Sequence, residues 1–188
     1  MNRFMMGRLA VVLTAVAVAG AGPSGLVEAS PPDRAGGPPG ALFAGAVIDL
    51  ADGWGSAHAC AELGDSVECF RTEPELLAAH PELVAGVAFG VDSGVVAAAA
   101  CSSSLRLYRS TGYGGSALYL TTRSVVQNLS SFGFDNDTSS YRVGACSAAF
   151  YSGANLSGSQ YPGSTGANAS ASSMAGGWDN LVSSVIIF

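Results

Sequence analysis

The sequence has no lysine, only two histidines, and charged side chains at 12% of its 188 residues. Each shortage excludes a class of function. A nucleic-acid binder shows a basic stripe or patch, and eight arginines against fourteen acids, net charge −6, make none. Hydrolytic chemistry near neutral pH leans on histidine as its base, and neither His58 nor His80 stands beside a nucleophile motif. G-x-S-x-G, H-E-x-x-H and a phosphate loop are absent. No C-x2-C pair exists to hold zinc. The charge-free run at 9–21 is 13 residues, too short to cross a bilayer core of about 30 Å as a helix. The chain reads as no enzyme, with no nucleic-acid partner and no membrane span in the mature protein.

What is present falls into blocks. Arg3 and Arg8 ahead of the apolar run, and Val27-Glu28-Ala29 with small residues at −3 and −1, predict a signal peptide over 1–29 and an extracellular, secreted protein. Ala19-Gly20-Ala21 is a second possible cleavage site. Residues 30–40 (SPPDRAGGPPG) carry four prolines and three glycines, a linker composition.

Residues 41–98 read as a small α+β block. Residues 46–50 are β-rich, and 54–63 and 67–70 flank Gly64-Asp65-Ser66 as a hairpin. Thr72-Glu73-Pro74-Glu75 supplies a capping box for a helix to about Ala79, which Pro81 ends or restarts. From 30 to 100 there are ten acids and two arginines; from 101 to 188, three acids and four arginines. An acidic face here serves solvation, a basic partner, or packing against the later arginines. Four cysteines in an oxidising compartment predict disulfides, with three connectivities possible. Cys60–Cys69 across the hairpin and Cys101–Cys146 near equivalent points of two repeats are favoured.

Those repeats dominate the C-terminal half. Asp135-Asn136-x-x-Ser139-Ser140 returns 44 residues later as Asp179-Asn180-x-x-Ser183-Ser184. Tyr108-x4-Tyr113-x-Gly115 returns 43 residues later as Tyr151-x4-Leu156-x-Gly158. Two motifs at matched offsets are an internal repeat, about 101–143 and 144–188. Residues 104–108, 117–120, 125–129, 141–143 and 185–188 read as strands, while 159–177 is thin in apolar residues and reads as short or irregular strands on a flexible stretch. Antiparallel strands so joined cover their apolar face by packing two sheets together.

Residues 101–188 resemble a βγ-crystallin domain, a Greek-key sandwich whose units carry the aromatic-x4-aromatic-x-Gly corner and the Asx-Asx-x-x-Ser/Thr-Ser signature. The departures are Leu156 at the second corner and the Gly/Ser/Ala-rich 159–177. The block at 41–98 resembles the leader segment before such domains in some secreted bacterial proteins. The resemblance implies a mainly β fold and calcium, which takes six to eight hard oxygens. It implies as ligands the side chains of Asp135, Asn136, Asp179 and Asn180 and the hydroxyls of Ser139 and Ser183. The backbone carbonyls of Asp137, Leu181, Thr111 and Ala154 join them. A monomer with calcium as partner, acting at a cell surface or in the medium, is the first expectation. A relative on this fold that inhibits extracellular metalloproteinases is the alternative.

Overall fold

The computed structural model describes residues 40–84 and 103–188. The expected signal peptide, the linker through residue 39, the apolar run 85–100 and Cys101 lie outside the described residues. Among the described residues no helix is long and apolar enough to cross a membrane.

The leader opens with a hairpin of β1 (Ala41–Phe43) and β2 (Ala46–Ile48). Its two turn residues, Ala44 and Gly45, both have positive φ, 50° and 83°. Such turns favour Asn-Gly or Asp-Gly, and alanine there costs about 1–2 kcal/mol, so β1 carries no sequence signal. β3 (Ala59–Glu62) and β4 (Val67–Phe70) form the expected hairpin, with Cys60 directly opposite Cys69 and disulfide-bonded to it. Cys146 is also disulfide-bonded; Cys101, its expected partner, lies outside the described residues. The Thr72 cap is present, with the return bond to Glu75 made by the residue before the cap. The Glu75 N–H donates to Thr72 Oγ1 at 3.3 Å and the Arg71 N–H to the Glu75 carboxylate at 3.1 Å. They open α1 (Glu73–Ala79), and Pro81 starts a 3-10 turn (Pro81–Val84).

In the first repeat β5 (Leu105–Ser110) pairs antiparallel with β6 (Gly114–Leu120) and with β8 (Ser140–Arg142). Its third strand, β7 (Gln127–Asn128), leaves that sheet and pairs with β11 (Ser184–Ile187), which also pairs β9 (Ala148–Tyr151). The second repeat returns the exchange. Its β10 (Ser170–Ala171) pairs with β8 of the first. Each sheet therefore holds strands of both repeats, and neither repeat buries its apolar face alone. The second sheet has three strands plus a bridge between Tyr151 and Gln160. Within 159–177 the described strand is the two-residue β10, short as the composition predicts.

The first sheet is larger than a sandwich requires. β3 pairs parallel with β6, Ala59 facing Ala117, and the sheet runs β10-β8-β5-β6-β3-β4-β1-β2. β6 would otherwise be an open edge, with unpaired backbone groups that invite association. The change of composition near residue 100 is thus no boundary in the sheet. All described residues belong to one compact unit.

This addition gives the first sheet two covered faces. One packs against the second sheet through Leu105, Leu107, Leu118, Leu120, Phe134, Tyr141, Phe150 and Val185. On the other, Tyr108, Ala117 and Tyr119 meet Ala59, Ala61, Leu76 and Leu83 under the leader helix. Strands buried on both faces lose clean alternation, which accounts for the partial pattern in SLRLY and ALYL. Glu73, at the start of α1, accepts from the hydroxyls of Tyr108 (3.0 Å) and Tyr119. Burial, then the Glu73 charge, pushes the Tyr108 hydroxyl up to about 12. Burial raises Tyr119 and Tyr141 as well.

Candidate metal centre

Both corners run through left-handed backbone, with glycine or asparagine on either side of a bulky residue that is strained there. Gly112, Tyr113 and Gly115 lie at 69°, 62° and 74°; Asn155, Leu156 and Gly158 lie at 55°, 59° and 75°. The closing glycine is required for space as well, since a Cβ would press on the Ser110 hydroxyl at Gly115 and the Ser152 hydroxyl at Gly158. Leu156 adopts the same backbone as Tyr113, so the departure at the second corner leaves its shape intact.

The two serines of each signature do different things. The last one ties its loop to its own corner. Ser140 Oγ accepts from the Tyr113 N–H at 3.1 Å and donates to the Ser110 carbonyl at 2.6 Å. Ser184 repeats this with the Leu156 N–H at 3.0 Å and the Gly153 carbonyl at 2.6 Å. The serine before it reaches across to the other repeat. Ser139 Oγ donates to Asn180 Oδ1 at 3.2 Å, and Ser183 Oγ to Asn136 Oδ1 at 3.3 Å. The backbone is reciprocal too: the Asn136 N–H donates to the Val182 carbonyl at 3.0 Å and the Asn180 N–H to the Thr138 carbonyl at 3.1 Å. Asn136 and Asn180 share a left-handed φ of 54°, which asparagine tolerates better than most residues.

Four of the expected ligands therefore meet in two pairs, Asn136 with Ser183 and Asn180 with Ser139. Asp135 and Asp179 are exposed beside them, and Asp135 Oδ2 accepts from Asn136 Nδ2 at 3.2 Å. Leu181 is half-exposed between Asn180 and the buried Val182. Thr111 and Ala154 sit on the corner turns. The Ala154 carbonyl already accepts from the Ser157 N–H at 3.1 Å and the Ser157 hydroxyl at 2.7 Å. A cation there would displace that hydroxyl. The Thr138 hydroxyl, buried where the second repeat has Val182, makes no hydrogen bond.

The spacing of these hydrogen-bonded oxygens is also one that a calcium shell would accommodate. Two oxygens 3.2–3.3 Å apart subtend about 85° at a calcium–oxygen distance near 2.4 Å, an ordinary angle in its irregular shells. At magnesium's 2.0–2.1 Å the angle opens to about 100–110°, poor for an octahedron. Among the described residues no three His, Cys, Asp or Glu side chains gather for a metal. The donors here are instead amides, hydroxyls and carbonyls.

Sequence reasoning missed the groups around the first loop. The Trp54 Nε1–H donates to the Phe132 carbonyl at 2.7 Å. Arg109 donates from Nη2 to the Gly133 carbonyl at 2.7 Å, and its guanidinium lies 4.9 Å from the Trp54 ring and 5.0 Å from that of Phe134. Its Nε is 3.0 Å from Asp137 Oδ2, an ion pair in which the N–H is not aimed at the carboxylate and makes no hydrogen bond. No periodicity or spacing links Trp54 to a loop about eighty residues on.

No family model matches the chain, and no curated protein matches it significantly. Among solved structures it is similar to a βγ-crystallin domain from Flavobacterium johnsoniae, at 25% identity over 45% of this chain and 92% of that one, TM-score 0.38. It is similar to a βγ-crystallin from Ciona intestinalis at 25% identity over 46% and 100%, TM-score 0.39. The N-terminal domain of Protein S is similar at 22% identity over 46% and 96%, TM-score 0.38. The exchange of third strands between the sheets and the twice-repeated corner and loop make residues 103–188 a βγ-crystallin fold, with the leader's strands added to its first sheet.

Proposed function

We propose that this protein is secreted and binds calcium without catalysing a reaction, serving as a structural or binding component at a cell surface or in the medium. The observation that carries the reading is the reciprocal pairing of Asn136 with Ser183 and of Asn180 with Ser139. Each pair sets an amide oxygen and a hydroxyl oxygen side by side on backbone fixed from both repeats. Asp135, Asp179 and the Asp137, Leu181, Thr111 and Ala154 carbonyls are the remaining expected donors. When bound, the ion would cross-link the two repeats electrostatically. With few carboxylates per site the affinity belongs on the order of micromolar to millimolar.

Calorimetric titration of residues 30–188 with calcium tests this. The leader is retained because it is part of the first sheet. Two bound ions are expected, with binding abolished in Ser139→Ala/Ser183→Ala. These substitutions remove one cross-repeat hydrogen bond each and leave the Ser140 and Ser184 ties intact. A double variant that binds like the parent would sink the assignment.

The inhibitor alternative gains one observation. The stretch 159–177, expected to be flexible, is anchored along its length. Its Ser164, Thr165, Ala169 and Ser172 carbonyls accept from Tyr141 Oη and from the Ala148, Val143 and Gly112 N–H groups at 2.7–2.8 Å. Tyr161 and Met174 are buried under it. A preorganised loop costs less to bind, and an inhibitor needs such a loop to enter a protease cleft, so this anchoring favours the alternative.

A further inference from the structure

The two loops carry the same signature but different charge. The carboxylate of Asp137 faces Arg109 at 3.0 Å. The matching positions in the second repeat are Leu181 for Asp137 and Ser152 for Arg109. Ser152 Oγ merely accepts from the Ser159 N–H at 2.9 Å. One candidate site thus has a guanidinium at its border, and its twin has a serine hydroxyl in the matching place.

We propose that Arg109 lowers the calcium affinity of the site that uses the Asp137 carbonyl, so that the two sites fill unequally and the Leu181 site fills first. The inference rests on the calcium reading above. Covalent geometry puts a carboxylate within about 5 Å of its own residue's carbonyl oxygen. The guanidinium therefore lies on the order of one Debye length, about 8 Å, from an ion held there. It repels the ion directly and offsets the Asp137 carboxylate, one of those that would attract it.

Arg109 is held in this place from three sides. Its stack on Trp54 and Phe134 and its bond to the Gly133 carbonyl hold it there. Pre-ordering of the loop works in the opposite direction, because an ordered loop binds more tightly. That ordering does not depend on Arg109 alone, since Trp54 Nε1 also holds the Phe132 carbonyl. Removal of the charge should therefore outweigh loss of order. The leader takes part in the same control, because Trp54 belongs to it.

Calorimetric titration of residues 30–188 with calcium, comparing the parent with Arg109→Gln, Arg109→Lys and Asp137→Asn, tests the proposal. The parent should show two unequal sites. Arg109→Gln should tighten the weaker site about threefold to tenfold at 0.1 M salt and leave the other unchanged. Arg109→Lys, which keeps the charge, should stay within about twofold of the parent, and Asp137→Asn should weaken the same site. If Arg109→Gln does not fold, Asp137→Asn decides, and an unchanged affinity there overturns the proposal. Two equal sites in the parent with no response to Arg109→Gln, or weaker binding in Arg109→Gln, overturn it while leaving calcium binding in place. Absence of binding in the parent that appears in Arg109→Gln also overturns it, since the Leu181 site should fill in the parent. Absence in every variant overturns both readings.

Discussion

Gly133 and Gly177 occupy the same place in the two repeats, just before the Asp-Asn loops, and both are left-handed, at φ 61° and 80°. At Gly133 an added Cβ would run into the Leu50 carbonyl of the leader, whereas at Gly177 it would meet nothing within 4 Å. The internal repeat fixes the backbone of both loops. What the leader touches then makes one of them a crowded junction and leaves the other open. A duplicated motif thus gives duplicated geometry without duplicated energetics.

Alanine at the two glycines separates these contributions. Gly177→Ala should cost the left-handed strain alone, about 1–2 kcal/mol, or roughly 2–7 °C in Tm. Gly133→Ala adds a backbone clash that nothing flexible can relieve, so about 3–4 kcal/mol is expected, roughly 6–15 °C. Thermal melts of both variants check this, and equal losses would mean the leader does not press on the first loop. Trp54→Phe, which keeps the ring packing but strands the Phe132 carbonyl, should cost about 1–2 kcal/mol. It should also change calcium binding at no more than one site.

Alkaline pH probes the leader's other contact. A hydroxyl whose folded pKa is raised contributes stability fully below its unfolded value near 10 and loses it as pH climbs through the folded value. For Tyr108 that window runs from 10 to about 12. Stability should fall there by about 1.4 kcal/mol per pH unit for each tyrosine in play. The fall should be shallower in Tyr108→Phe, as read by denaturant titration at successive pH values.

The smallest effect belongs to His80. Burial pulls its pKa down, but hydrogen bonds and charge from Glu68 and Glu82 outweigh this and leave it raised above 6.5. Its two ring nitrogens lie 3.1 and 3.0 Å from those carboxylates. Only the imidazolium can donate to both. The Tm should therefore drop by roughly 1–2 °C as pH rises from 6 to 8. His80→Gln should flatten that slope.

The parts legible in the sequence were those encoded locally. The Cys60–Cys69 hairpin, the Thr72 cap and the repeated corner and loop each occupy a few adjacent residues, and each is present. The resemblance implied Asn136 and Ser183 as ligands but not their pairing, since the residues lie 47 apart. What the sequence hid was long-range. β3 joins β6 in parallel, a pairing of residues 58 apart, and Trp54, Arg109 and Gly133 converge only after that sheet has formed. The rigidity of 159–177 was equally hidden, because small polar residues there are fixed by backbone hydrogen bonds rather than by apolar side chains.

The most direct test of the account is a crystal of residues 30–188 grown with calcium and examined by anomalous scattering. Two peaks are predicted, each about 2.3–2.6 Å from the oxygens of one pair, Asn136 with Ser183 and Asn180 with Ser139, and the peak next to Asp137 should have the lower occupancy at limiting calcium. Peaks only on the acidic leader, or both loops empty at millimolar calcium with the Asn–Ser hydrogen bonds unbroken, would contradict it.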